Sequence, residues 1–235
     1  MTPADSHRRS KSGGRPTHRE AARRLDRVLD IGQRQFLASG YSETSLDAIA
    51  RASGVAKKTL YHHFGGKAGL FAAILEALRR SWIAELQDIV LQPVGPRLVL
   101  EAVAQHLLEV GTRSQMIALH RLLVAESHRF PELVQKHYDR CAPRGMEPLQ
   151  DYLGAAACNG TLRLDDVALA TEQFTHLVLS GVRMRLLLGL ARRPGPAERQ
   201  RIARHAVDLF LNGCAAPRRS KPIAHPDHAA PSPGL

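Results

Sequence analysis

A chain of 235 residues, 44% hydrophobic but only 5% aromatic, is long enough for one small and one larger core and has the Leu/Ala-rich make-up of a helical protein. Its formal net charge of +11 and pI near 10.3 point to a polyanionic partner, nucleic acid first among them. The stretch from Met1 to Gly14 is polar where a signal peptide needs an apolar core, and the longest apolar run, Leu177 to Leu190, is interrupted by Arg183 and Arg185. The expectation is therefore a cytoplasmic protein with no membrane partner.

Residues 1–17 are rich in Ser, Gly, Pro and Arg and read as a disordered basic arm. Arg15, beside Gly13 and Gly14, is a candidate for a narrow, electronegative minor groove, although a solubilising tail has the same composition. A first helix is expected from His18 to Ser39, with Ala22, Leu25, Val28, Leu29, Ile31, Gln35 and Phe36 on one stripe and Gly40 as its stop. Thr44 and Ser45 then offer capping hydroxyls to a short helix carrying Leu46, Ile49 and Ala50 at the spacing of one face. Ser53 and Gly54 break that period, and the glycine suits a sharp turn between helices. In the next helix Val55 and Leu60 face back, leaving Lys57, Lys58, Thr59, Tyr61 and His62 outside, while Tyr41 and Phe64 close the small core. This is a helix-turn-helix whose second helix is loaded for a major groove. Lys57 and Lys58 are candidates to reach guanine O6 and N7, and Thr59 to meet a phosphate or a thymine; spacing does not choose between the lysines. Thr44, at a helix N-terminus, is a further candidate phosphate donor.

The stretch TSLDAIARASGVAKKTLYHHFGGKAGL, Thr44 to Leu70, resembles the DNA-binding head of the TetR (tetracycline repressor) family of bacterial transcription regulators. Thr44, Ile49, Ala50, Gly54, Val55, Thr59, Leu60, Tyr61, His62, Phe64, Lys67 and Leu70 carry the likeness, which runs roughly from Arg15 to Arg80. Ala56, Lys58, His63, Gly66, Ala68 and Gly69 depart from the usual pattern, and the charge of Lys58 means that the operator is not to be copied from a relative. The resemblance implies a mostly helical homodimer, most often a repressor, on a near-palindromic operator, with Tyr61 and Lys67 on backbone phosphates.

From Lys67 to about Leu91 the residues Leu70, Phe71, Ile74, Leu75, Leu78, Trp82, Leu86 and Ile89 repeat at three and four, giving a long helix shared by head and body; Pro93, Gly95 and Pro96 stop it. Helical periods resume over 96–110, 113–128, 131–138 and 144–158, the last ended by Asn159-Gly160. The phrase MIALHRLLVAESHRFPEL, from Met116 to Leu133, resembles the C-terminal domain of the AefR-like branch of the same family. Met116, Leu119, His120 and Leu123 share a face. With Trp82, Leu86 and Phe174 they are candidates to line an apolar site for a hydrophobic or amphipathic effector, although a plain packed core explains the same pattern. Asp165 and Asp166 are expected to cap a helix running to Leu190, apolar around so much of its circumference that a second subunit is the economical cover. Phe174, Leu177, Val178, Gly181, Val182 and Arg185 on that helix, and Ile202, Ala206, Leu209 and Phe210 on a last one over 196–212, are the expected dimer interface. Residues 215–235 read as a disordered tail.

The expected fold is all-α, with about nine helices. It divides into the arm (1–17), a three-helix DNA-binding domain (18–66), a ligand-binding and dimerisation domain (67–214) and the tail. No Gly-rich phosphate loop, metal-ligand spacing or nucleophile motif is present, so no enzyme, cofactor or metal is expected. The adjacent His62 and His63 diverge by about 100° on a helix and cannot share an ion. Of three separated cysteines, Cys141, between Arg140 and Arg144, is the candidate for oxidation sensing. A sequence-independent, architectural DNA binder is the alternative function; it uses the basic tails but leaves the apolar C-terminal half unexplained.

Overall fold

In a computed structural model, residues 18–132, 134–135 and 144–213 are described. Among them the chain is all-α, with nine helices: α1 (His18–Glu43), α2 (Leu46–Ser53), α3 (Lys57–Phe64), α4 (Lys67–Val90), α5 (Pro96–Gly111), α6 (Ser114–Glu126), α7 (Glu147–Cys158), α8 (Val167–Leu187) and α9 (Pro196–Gly213). The basic arm with Arg15, the C-terminal tail, Cys141 and most of the helix expected over 131–138 lie outside the described residues.

Local chemistry explains the boundaries. The Ser45 hydroxyl accepts the Ala48 N–H at 3.1 Å and opens α2. Gly54, at φ 70° and ψ 25°, closes it, and the Val55 N–H returns to the Ala50 carbonyl at 3.1 Å. Prolines stand in the first turns of α5 and α7, where a missing N–H costs nothing. Two expected boundaries move. Gly40 does break α1, at φ 82° and ψ 169°, but the chain takes one more helical turn to Glu43. The helix expected to reach Leu190 ends at Leu187, whose carbonyl accepts the Arg121 Nε–H at 2.9 Å, and Gly189 turns left-handed at φ 73°. Its cap is Asp166, whose Oδ1 accepts the Leu169 N–H at 2.9 Å.

Two compact units result. The first gathers α1 to α3, α4 as far as Glu85, α6 and the segment Leu187–Leu190. Its core joins Val28, Phe36, Ile49, Leu60, Leu70 and Phe71 to Leu119, Leu122 and Leu123 of α6. Tyr41 sits among aromatic rings, with centroids 5.6 Å from Phe36, 5.4 Å from Phe71 and 4.9 Å from Phe130, the last two edge-on. Phe64, expected beside it, is half-buried against this core.

The second unit gathers α4 from Leu86, α5, α7, α8 to Leu186 and α9. Helices α5 and α9 pack together, and Arg97 of α5 is ion-paired with Asp208 of α9. Glu109 of α5 accepts from Arg199 at 2.6 Å and from Arg193. Phe174 of α8 meets Phe210 of α9 edge-on at 5.0 Å. A β-carbon on Gly111 would stand 2.9 Å from Leu179, so α5 and α8 approach closely there.

Candidate nucleic-acid interface

The recognition helix is held by one anchor. Leu60, wholly buried, and the half-buried Phe64 one turn later fix the inner side of α3. At about 100° per residue, Lys58 and His62 then stand on the opposite side. Both are exposed, as are Lys57 and His63; Tyr61 is 49% exposed and Thr59 half-buried. The turn before α3 is rigid: the buried Ser53 hydroxyl donates to the Ile49 carbonyl at 2.7 Å, which leaves no unsatisfied polar group beneath it.

The two lysines differ in a way the sequence does not express. Lys57 Nζ is 2.8 Å from an Asp47 carboxylate oxygen on α2 and 6.0 Å from the Tyr61 ring centroid, and Asp47 holds its ammonium above the usual lysine range. Lys58 makes no ion pair among the described residues. Of the pair, Lys58 presents the uncompensated charge.

Thr44 and Lys67, both expected on phosphates, spend their hydrogen bonds inward. Thr44 is 5% exposed and its hydroxyl donates to the Gly40 carbonyl at 2.7 Å, so Ser45 alone is the side-chain cap of α2. Lys67 Nζ donates to the carbonyls of Tyr41, Ser42 and Thr44 at 2.8, 3.0 and 3.1 Å and sits 4.7 Å from the Tyr41 ring centroid. An ammonium has three protons, and each has a carbonyl to meet. Lys67 therefore caps the C-terminal end of α1, where a cation is favoured by the helix dipole. A set of cations absent from the expected site lies on α1. Arg19, Arg23, Arg27 and Arg34 are exposed and share the face away from Val28 and Phe36. Their near-heptad spacing was the available signal.

The residues expected around an effector divide between the units. Trp82, Met116, His120 and Leu123 belong to the first, and Leu86 and Phe174, both wholly buried, to the second. Leu123 is part of the first unit's core and Met116 packs against it. His120 Nδ1 lies 2.7 Å from the Met116 carbonyl, which can only accept, so Nδ1 carries the proton.

The expected interface residues also divide. Phe174, Val178, Val182, Ala206 and Phe210 are buried within the protomer and Ile202 is half-buried. Leu177, Gly181, Arg185 and Leu209 are exposed, and Leu169 and Met184 extend Leu177 into an outward stripe along α8. Among the described residues no helix is long and apolar enough to cross a membrane, and no group of three His, Cys, Asp or Glu side chains could hold a metal ion.

Residues 28–74 match the bacterial regulatory proteins of the tetR family, and residues 98–214 match the AefR-like transcriptional repressor C-terminal domain. The structure of the Flavonoid-responsive Regulator FrrA superimposes with a TM-score of 0.70 at 30% identity, covering 84% of this chain and 100% of that one. The chain belongs to the TetR family. Other TetR-type relatives include the regulator AcrR of Shigella flexneri, 40% identical over 98 residues, a match spanning 40% of this chain and 45% of AcrR. The repressor KstR2 of Rhodococcus jostii is 26% identical over 223 residues, 92% of this chain and 99% of its own. The protein is thus a TetR-family transcriptional regulator with a DNA-binding helix-turn-helix.

Proposed function

We propose that this TetR-family regulator is a repressor that binds a near-palindromic operator as a homodimer and releases it when a small hydrophobic or amphipathic effector binds. Residues 18–66 form the DNA-binding domain and 67–214 the ligand-binding and dimerisation domain. The observation that carries the reading is the state of α3: one side is locked by Leu60, and the other presents Lys58, which makes no ion pair among the described residues. Lys58 reads a base edge, and Thr59, Tyr61 and His62 supply flanking contacts. Lys57 joins them after exchanging Asp47 for the DNA. The exposed stripe Leu169, Leu177 and Met184, with Leu209 on α9, supports pairing of two protomers, because an apolar helix face of this length is seldom left in water. Pairing sets two α3 helices about 34–36 Å apart, one helical turn of DNA. Within the first unit, the apolar residues Trp82, Met116 and Leu123, with His120 as a polar group, support an effector of aromatic or lipid-like character, in keeping with the flavonoid response named for FrrA. A coupling of about 1–3 kcal/mol between effector and DNA corresponds to a 5- to 150-fold loss of operator affinity.

Gel-shift titrations of Lys57→Ala, Lys58→Ala and Tyr61→Ala over single-base operator variants test the assignment. Lys58→Ala is expected to weaken binding and relax preference at one base pair of each half-site. Tyr61→Ala is expected to weaken all sequences alike. A uniform loss for all three variants contradicts base reading by α3.

A further inference from the structure

One side chain on α6 reaches the joint from which the helix-turn-helix hangs. Glu126, in the last turn of α6, is 8% exposed. Its Oε1 accepts the Ser42 backbone N–H at 3.1 Å and its Oε2 accepts the Ser42 hydroxyl at 3.2 Å, across 84 residues of sequence. A carboxylate withdrawn from water is costly unless such donors meet it, and Glu126 makes no ion pair among the described residues. Glu126 is therefore committed to Ser42.

Ser42 is gripped from its other side as well. Its carbonyl is one of the three that Lys67, the first residue of α4, holds. Gly40, two residues earlier, takes a backbone conformation that disfavours any side chain, and a β-carbon there would sit 3.5 Å from Glu126 Oε1. Gly40 in turn offers its carbonyl to Thr44, which leads directly into Ser45 and α2. Phe130, just beyond α6, packs on the Tyr41 ring at 4.9 Å. The five residues from Gly40 to Thr44 are thus a small knot with α6 tied to one side, α4 to the other and α2 leaving from its end.

We infer that Glu126 is a positioning residue: through Ser42 it ties α6 to the segment that orients α2 and α3, so that a displacement of α6 and DNA binding at α3 affect one another. The coupling follows from geometry. Two hydrogen bonds of 3.1 and 3.2 Å have little slack, and a shift of α6 by about 1 Å either breaks them or drags Ser42 along. Because α6 also carries Met116, His120 and Leu123, the tie runs from the proposed effector residues to the proposed DNA contacts, and it deepens that reading by naming the link.

Reciprocity makes the link testable without knowing the effector. Hydrogen exchange of the full-length protein is followed with and without a duplex of the sequence that the protein itself selects from a random pool. In the native protein, the duplex is expected to slow exchange in the C-terminal half of α6 about fivefold or more, although α6 carries none of the proposed DNA contacts. Glu126→Leu, which keeps apolar volume but accepts nothing, is expected to bind the duplex while losing that protection. Glu126→Gln, which still accepts from the Ser42 N–H, is expected to restore it, and Ser42→Ala to keep part of it. A merely structural Glu126 would lower the melting temperature without uncoupling α6 from DNA. An α6 that ignores the duplex in the native protein, or responds equally in native and Glu126→Leu proteins, overturns the inference. Should Glu126→Leu fail to fold, Ser42→Ala decides: protection of α6 reduced below the native level supports the inference, and protection equal to that of the native protein overturns it. A native protein that binds no duplex at all instead overturns the operator reading itself.

Discussion

Lys67 illustrates how far a side chain's role departs from its type. A lysine opening a helix beside a helix-turn-helix reads as a phosphate ligand, yet here it bonds three carbonyls at the end of α1. Lys67→Met is therefore expected to cost ~1–3 kcal/mol of stability, the scale of charge-assisted hydrogen bonds, as a drop in the chemical-denaturation midpoint. The slope of log affinity against log salt should stay at its native value, whereas a phosphate ligand would lower the slope by about one. Tyr41 gives a second residue-scale test. Burial first, and the nearby Glu126 carboxylate second, raise its phenol above the ordinary value of 10.0. The unfolded chain then ionises before the folded one. Stability from this group is intact below pH 10 and lost as pH rises through it. Tyr41→Phe is expected to lose less melting temperature between pH 9 and pH 11 than the native protein does. Thr44, Lys67 and Glu126 were illegible in sequence for one reason: each is defined by a carbonyl or N–H whose position depends on the finished fold. For Glu126 the partner is 84 residues away.

At the scale of elements the sequence is far more explicit, because helix ends are written in glycine, proline and hydroxyl residues with local physical roles. Gly54 is the clearest case. Its left-handed backbone at φ 70° is needed for the α2–α3 turn, and Gly54→Ala is expected to destabilise the head by ~1–2 kcal/mol, read from the thermal midpoint. Gly69 is less obvious. A β-carbon there would lie 1.6 Å from the Phe64 carbonyl oxygen, backbone that cannot swing aside, so the first turn of α4 and the end of α3 touch through this glycine. Gly69→Ala is expected to push α3 and weaken operator binding at least tenfold while circular dichroism still reports a helical protein; full operator affinity would refute that account of the contact. Periodicity located the stripe of α8 but not its division. Phe174, Val178 and Val182 turn into the protomer and Leu177 out of it, a distinction set by where α9 packs.

At the scale of the molecule, the head, the body and the proposed pairing of two chains have to act together. Leu177→Glu combined with Met184→Glu places charge on side chains that are 44% and 55% exposed in the protomer, so the fold should survive. Sedimentation velocity is expected to show dimers for the native protein, as the proposed pairing requires, and monomers for the double variant at the same concentration. A folded double variant that remains dimeric would move the interface elsewhere. The central claim, that this TetR-family regulator reads a specific two-fold site, is tested most directly by selecting duplexes from a random pool with the purified protein and sequencing them. The account predicts enrichment of two inverted half-sites about one helical turn apart, lost when Lys58 is replaced. A pool that binds without enriching any sequence, in the presence of competitor DNA, would contradict it.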